Sequence, residues 1–303
     1  MSGVHRVGFS LHNLLTSWDT SPFALLVLIA CLVVGAWYVQ AVWALSARGR
    51  SWSPLRTVSF VTGLVMIDLA LQSPVATFTM GYFEAHMVQH LLLMVTAPPL
   101  LALGAPMTLA LQTSSRTVKV RILRVLNSRV FRWWSHPVPT AAVYYLAMFA
   151  FFLTSAVNMA MEHMWAMDLV NIAFLVASLH FWWPIVGIDY IPHWPMGHGA
   201  KMVALLIGVP IESFLALALL TSTRPVASMY TVGGTHAGAA ILWIGAEIFT
   251  FLALIPVFIQ WLRFEGRRTA RIDAELDATY AESGSTLTPV RPEPGPGRSP
   301  IEH

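Results

Sequence analysis

The chain has 303 residues, 56% of them hydrophobic and 11% charged, with a mean hydropathy of +0.63 and a formal net charge of +3. A soluble domain carries about 25% charged residues, so this composition excludes a water-soluble globule and reads as an all-α integral membrane protein. A transmembrane barrel would show alternating segments of about ten residues, which the sequence lacks. The single cysteine, Cys31, excludes a disulfide framework and a Cys-x-x-Cys metal site.

Residues 1–21 lack the order of basic, apolar and small-residue regions that marks a cleavable signal. They read as an extracytoplasmic segment ahead of a retained anchor. Seven apolar runs follow, at about 22–46, 57–73, 83–111, 138–157, 164–186, 201–221 and 237–261. Most approach the ~20 residues that a helix needs to cross hydrocarbon, so 22–262 is expected to be a seven-helix membrane domain. The second run is short and the third long. Pro98-Pro99 and Gly104-Ala-Pro106 predict a kink or unwinding toward the end of the third, because proline lacks the N–H that the helix ladder needs. Between the third and fourth runs, residues 115–134 set basic and apolar side chains at helical spacing (Arg116, Lys119, Arg121 and Arg124 among Val118, Val120, Leu123 and Val125). That stretch reads as an amphipathic helix lying on lipid of the inner leaflet. From 263 the chain turns charged and proline-rich, which predicts a cytoplasmic, largely disordered tail over 263–303.

Basic residues orient the spans. Loops 47–56, 112–137 and 187–201 and the tail hold 16 of the 18 Lys and Arg, leaving Arg6 and Arg224 on the other side. Under the positive-inside rule the N-terminus is outside and the C-terminus cytoplasmic, as an odd number of spans requires. The basic excess belongs to this asymmetry and not to nucleic-acid binding.

His86 and His90 stand four residues apart in Glu84-Ala-His-Met-Val-Gln-His90, where the third run begins. Residues i and i+4 share a helix face about 6 Å apart, so both imidazoles point into one space. Imidazole is the commonest metal ligand, and a polar group in hydrocarbon needs a partner. His163 and His236 open the fifth and seventh runs from the same outer side, and Asp68, Gln72, Glu84, Glu162 and Asp168 fall at similar depth. Half of the 14 methionines lie there too, namely Met80, Met87, Met159, Met161, Met164, Met167 and Met229. A lone methionine in a membrane helix is ordinarily core filler, and a lone histidine at a helix end is ordinarily held by interfacial water. The cluster Met159-Ala-Met161-Glu-His163-Met164 is harder to read that way. Thioether with imidazole and no thiolate suits Cu(I) outside the cell, whereas zinc would draw cysteine or carboxylate and haem iron would draw ligands on opposing helices.

Other polar groups have plainer readings. Glu212 and Glu247, at mid-depth of the sixth and seventh runs, read as interhelical hydrogen-bond partners or as a proton or ion relay. His180 is too far inward to join the outer layer and reads as a core hydrogen-bond partner; His193 and His198 read as interfacial.

The run from His86 to Pro106 resembles the core motif of the multi-span CtaG-type cytochrome c oxidase assembly factors. Arg56, His136-Pro137 and Phe181-Trp-Trp-Pro-Ile-Val-Gly187 are further matches, and the resemblance covers about 22–262. It implies a multi-pass protein of the bacterial plasma membrane that supports assembly of haem-copper oxidase at copper insertion, with oxidase subunits as partners and no turnover of its own. Only His86 and His90 carry over cleanly. Thr235-His236 stands where family members often place Asp-Gln, and Asn158 and Asn171 occupy regions where many carry further histidines. The expected site therefore has His86 and His90 as primary copper ligands. His163, His236 and one or two of Met87, Met159, Met161 and Met164 complete it, with Asp68 or Glu84 orienting an imidazole through its second N–H. A site that hands its ion on is expected to be shallow and incompletely buried. A copper permease and a haem- or quinone-binding redox protein are the alternatives.

Overall fold

The computed structural model describes residues 10–189, 194 and 196–285. All regular structure among the described residues is helical, and six helices are long and apolar enough to cross a membrane, or seven if one bent pair counts as a span. The chain divides into two compact units, Met1–Phe258 and Ile259–His303.

In the first unit, α1 (Leu11–Thr16) precedes the first span, α2 (Pro22–Ser46). The second span, short by sequence, is α3 (Pro54–Gln72) prolonged past Ser73 by α4 (Pro74–Phe78). Ser73 marks the join by accepting the Val75 N–H on its hydroxyl, and Pro74 sits where a helix start has no need of its N–H.

The third span is the hub of the bundle. It consists of α5 (Phe83–His90), a π turn (Leu91–Thr96), α6 (Ala97–Leu103) and α7 (Pro106–Thr113). The prolines dictate this form. The Met94 carbonyl would accept from residue 98 in an α-helix and from residue 99 in a π-helix, and both are prolines. Trp182 Nε1 supplies the missing donor at 2.7 Å. Two of the family-like motifs thus meet in one hydrogen bond. Further on, Ala105 takes a left-handed φ of 50°, which breaks the helix before Pro106. Tyr38 Oη donates to Gly104 O at 2.7 Å, and Asp189 caps the new helix start by accepting from Met107 N at 3.1 Å and Thr108 N at 2.7 Å. Burial pushes the Asp189 carboxyl above its usual range, while those two hydrogen bonds and the Arg56 charge pull it back.

Close approach of α3 to the third span depends on small residues, as expected where lipid offers no hydrophobic drive between helices. A Cβ on Gly63 would meet Leu101 Cγ at 2.8 Å, and one on Gly104 would meet Phe60 Cβ at 2.7 Å.

The basic segment forms two helices rather than one, α8 (Arg116–Leu126) and α9 (Arg129–Trp134), because Ser128 accepts the Phe131 N–H and starts a new cap. Leu126 is the buried residue of α8, and Val118, Val120, Leu123 and Val125 are exposed beside the basic side chains. The fourth run, read as one span to 157, ends early. α10 (Pro137–Leu153) turns by 76° into α11 (Ala156–Glu162), because Thr154 is extended and its hydroxyl accepts the Ala156 N–H. Met159 and Met161 therefore sit on a separate short helix. The remaining spans are α12 (Met164–Val186), α13 (His198–Leu220) and the membrane part of α14 (Val232–Ser285).

In the second unit the helix runs to Ser285, where disorder was expected from 263. Arg, Glu and Ala are good helix formers, and Arg271 pairs with Glu275 one turn on at 3.0 Å. Residues 286–303 and His193 lie outside the described residues.

Candidate metal centre

α5 begins after an extended Tyr82, with Glu84 in its first turn where the helix dipole favours an acid. Its four-residue spacing puts His86 and His90 on the buried face, at 0% and 1% exposure, and their Nε2 atoms are 2.8 Å apart. Gln89, between them in the motif, donates to Ala70 O at 2.9 Å and fixes the rotation of α5 against α3.

The hydrogen-bond directions follow from one carbonyl. Tyr230 Oη lies 2.7 Å from Thr79 O, which can only accept, so the phenol hydrogen is spent there. His86 Nδ1, 2.9 Å from the same Oη, must then donate to it. A neutral His86 consequently has a lone pair on Nε2, and His90 Nε2–H donates into that pair. His90 Nδ1 is left as a buried acceptor with no partner among the described residues. Burial and the nearby Glu84 charge hold the Tyr230 phenol above its usual range, so it keeps its hydrogen.

Aromatic carbon walls the pair. Ring centroids of Phe152 and Phe174 are 5.1 and 5.0 Å from His90, and Phe83 and Phe151 are 6.0 and 6.1 Å from His86. The expected shallow site is in fact enclosed. No histidine on a facing helix meets His90 among the described residues; its ring neighbours there are Phe151, Phe152 and Phe174. An axial pair for haem across two helices is not built here.

The sequence profile described as "Cytochrome c oxidase caa3 assembly factor (Caa3_CtaG)" matches residues 36–264, three quarters of the chain, including this site. The chain belongs to that family of cytochrome c oxidase assembly factors. It is similar to an uncharacterized protein of Mycobacterium leprae, 26% identical over 288 residues, covering 89% of this chain and 44% of that one. Uncharacterized proteins of Mycobacterium bovis and Mycobacterium tuberculosis are each 26% identical over 291 residues, covering 90% of this chain and 43% of theirs. The chain thus spans less than half the length of these curated relatives. No solved structure matches it.

The remaining histidines and carboxylates expected at the site do not gather around the pair. No group of three or more His, Cys, Asp or Glu able to hold a metal occurs among the described residues. His163 is exposed and stacks on Trp165 at 5.9 Å, and Met159 and Met164 are 64% and 68% exposed. Met161 packs half-buried against the core; Met87 is fully buried, one residue from His86. Asp68 Oδ1 is buried without a hydrogen-bond partner among the described residues and lies within electrostatic reach of Cys31 on the first span. The Glu84 carboxylate lies beside Gly234, 3.5 Å from where a Cβ would stand, and acts on Tyr230 rather than on an imidazole.

His236 has a different job from the one expected. Its Nε2 donates to Ser222 O at 2.9 Å, which pins the loop that carries Tyr230. Thr235 accepts the Val226 N–H at 3.2 Å, and Asn158 accepts the Ser228 N–H at 2.9 Å from α11. The departures from the family pattern at 158, 235 and 236 therefore serve the same loop. Tyr230 itself escaped the sequence reading: one tyrosine in a polar loop carries no periodic signal, and 144 residues separate it from His86.

Proposed function

We propose that this assembly factor lies in the bacterial plasma membrane with its N-terminus outside and its C-terminus cytoplasmic. There it holds one Cu(I) between His86 and His90 for delivery to a cytochrome c oxidase subunit. Copper is cargo, and the protein turns over no substrate. The basic and apolar side chains of α8 and α9 rest on anionic lipid of the inner leaflet.

The observation that carries this reading is the facing of two buried Nε2 atoms at 2.8 Å, one with its tautomer set by the Tyr230–Thr79 relay. A hydrogen-bonded second nitrogen is the usual device for orienting a metal-binding imidazole. Two neutral imidazoles without a carboxylate suit a soft monovalent ion, and Met87 and Met94, both buried on the same span, are the nearest thioethers in sequence. With bonds of about 2.0 Å, two nitrogens stand about 3.3 Å apart at a tetrahedral angle and about 4 Å apart in a linear pair, so the rings need to part by about 0.5–1.2 Å. Full enclosure makes the cover, residues 79–82 and 222–231, the barrier to loading and release. His163, His236 and the exposed methionines Met159 and Met164 belong, on this reading, to the surface that the ion crosses.

Purified full-length protein titrated with Cu(I) against a chromophoric chelator tests the proposal. One Cu(I) per wild-type chain is expected, with none retained at that chelator strength by His86→Ala or His90→Ala. In cells lacking the protein, the oxidase should keep polypeptide and haem but lose copper. Full copper occupancy in the double variant, or a fully metallated inactive oxidase in the deletion strain, overturns it.

A further inference from the structure

The C-terminal half of α12, cytoplasmic on the topology proposed above, lines a cavity. Val176, Leu179, His180, Trp183 and Pro184 recur at spacings of three and four, so they form one stripe on that helix. Met107 of α7, Leu126 of α8, Phe131 of α9 and Ser135, the C-cap of α9, complete the wall around a volume of about 290 Å³. Its depth follows from the helix, which ends at Val186. At 1.5 Å of rise per residue, Pro184 lies about 3 Å and Val176 about 15 Å inside that end. The cavity therefore runs through about half of the ~30 Å of hydrocarbon, which is one leaflet.

A hydrocarbon chain suits this wall, which is apolar except at Ser135 and His180 and carries no acid. Charge points to the head group. Residues 115–137 hold six Lys and Arg and no Asp or Glu. Arg132 is exposed, follows Phe131 and precedes Ser135 by three, which sets it at the edge of the lining face. The Ser135 hydroxyl reaches Arg132 O only at 3.5 Å, long for O–H···O, so it is available to donate to an ester carbonyl. We propose that the cavity binds one acyl chain of an anionic phospholipid, with the phosphate on Arg132 and an ester carbonyl on Ser135. The site rests on the reading that α8 and α9 lie on the inner leaflet, and it adds shape to surface attraction: one lipid is selected and held. Its consequence is mechanical. Trp183 lines the cavity, and its neighbour Trp182 holds the Met94 carbonyl in the π turn of the third span. The bound chain thus braces the inner end of α12 against the span that carries His86 and His90.

Native mass spectrometry of the full-length protein, taken into mild detergent from bilayers of equal phosphatidylglycerol and phosphatidylcholine, tests the site. Wild type should retain one phosphatidylglycerol per chain in preference to phosphatidylcholine. Phosphatidylglycerol with dibrominated acyl chains should quench Trp183, read as the difference between wild type and Trp183→Phe. Leu179→Trp and Val176→Phe fill the cavity with carbon, and each should lose the retained lipid while keeping wild-type helicity by circular dichroism. Arg132→Gln should still admit a chain but cut the preference for phosphatidylglycerol about fivefold, the effect of one basic side chain near an anionic surface. Equal retention of the two lipids by wild type, unchanged retention in the filled variants, or a phosphate-free isoprenoid in the lipid's place overturns the site. A bimane on Val130→Cys, with Cys31 replaced, reports on the underlying reading, since Val130 is 78% exposed on α9. Brominated lipid that quenches this bimane while no lipid is retained overturns the cavity site alone. No quenching there overturns the lipid surface of α8 and α9 and the site with it.

Discussion

Removing one oxygen atom tests the relay most directly. Tyr230→Phe keeps the ring that packs on Phe83 at 5.2 Å and deletes the hydroxyl that joins His86 Nδ1 to Thr79 O. Two buried groups then lose their partner, the Nδ1–H of a residue at 0% exposure and the carbonyl of one at 8%. A buried orphan costs about 1–3 kcal/mol, and the two share one deletion, so a loss of about 2 kcal/mol in stability is expected. The effect on the metal is separate. Without the phenol, the His86 hydrogen is free to move to Nε2, which reverses the donor between the two histidines and removes the lone pair that the ion needs. A tenfold to hundredfold loss of affinity corresponds to about 1.4–2.7 kcal/mol. Competition against a Cu(I) chelator reads the affinity, and thermal unfolding in the same detergent reads the stability. Because burial and Glu84 raise the phenol above its ordinary range near 10, wild-type binding should show no step from its ionisation through neutral pH. Wild-type affinity in Tyr230→Phe, with His86 still protonated on Nδ1, refutes the relay.

The other expectations are simpler to read. His163→Ala should leave Cu(I) affinity within about twofold of wild type, since an exposed ring on Trp165 loses little; His236→Ala should accelerate Cu(I) release, measured by stopped-flow chelator capture, because it frees the Tyr230 loop from Ser222. With Cys31 replaced, Thr223→Cys should label from outside intact cells and Asn127→Cys only after permeabilisation, both positions being exposed; the reverse pattern inverts the topology. Asp189→Ala should cost about 1–2 kcal/mol in unfolding, because two N–H groups at the start of α7 lose their cap and the Arg56 charge loses its counterpart.

Much of the molecule was legible from residue order. Apolar length gave the spans, and the ends of α2 and α12 agree with the runs read at 22–46 and 164–186. Prolines at 98, 99 and 106 located the disruption of the third span, since a missing N–H is a local property. The His86/His90 pair was legible for the same reason: i,i+4 geometry belongs to the helix alone. Local capping and helix propensity decided two details that hydropathy misses. Thr154 ended the fourth span early, and charged residues beyond 263 continued a helix that composition had assigned to disorder.

The rest required the chain to fold. Which carbonyl Trp182 would reach, which loop His236 would pin, and that Tyr230 would take His86 while Phe151, Phe152 and Phe174 closed around His90 are facts about segments far apart in sequence. Composition had drawn His163 and the methionines into one layer because they share a depth. Depth is a one-dimensional coordinate, and a ligand set needs three. The sequence by itself determined a bundle of apolar helices with two imidazoles on one face. Tertiary packing decided that those imidazoles would be sealed in aromatic carbon, and that hydrogen bonds from a distant loop would choose the tautomer of the first.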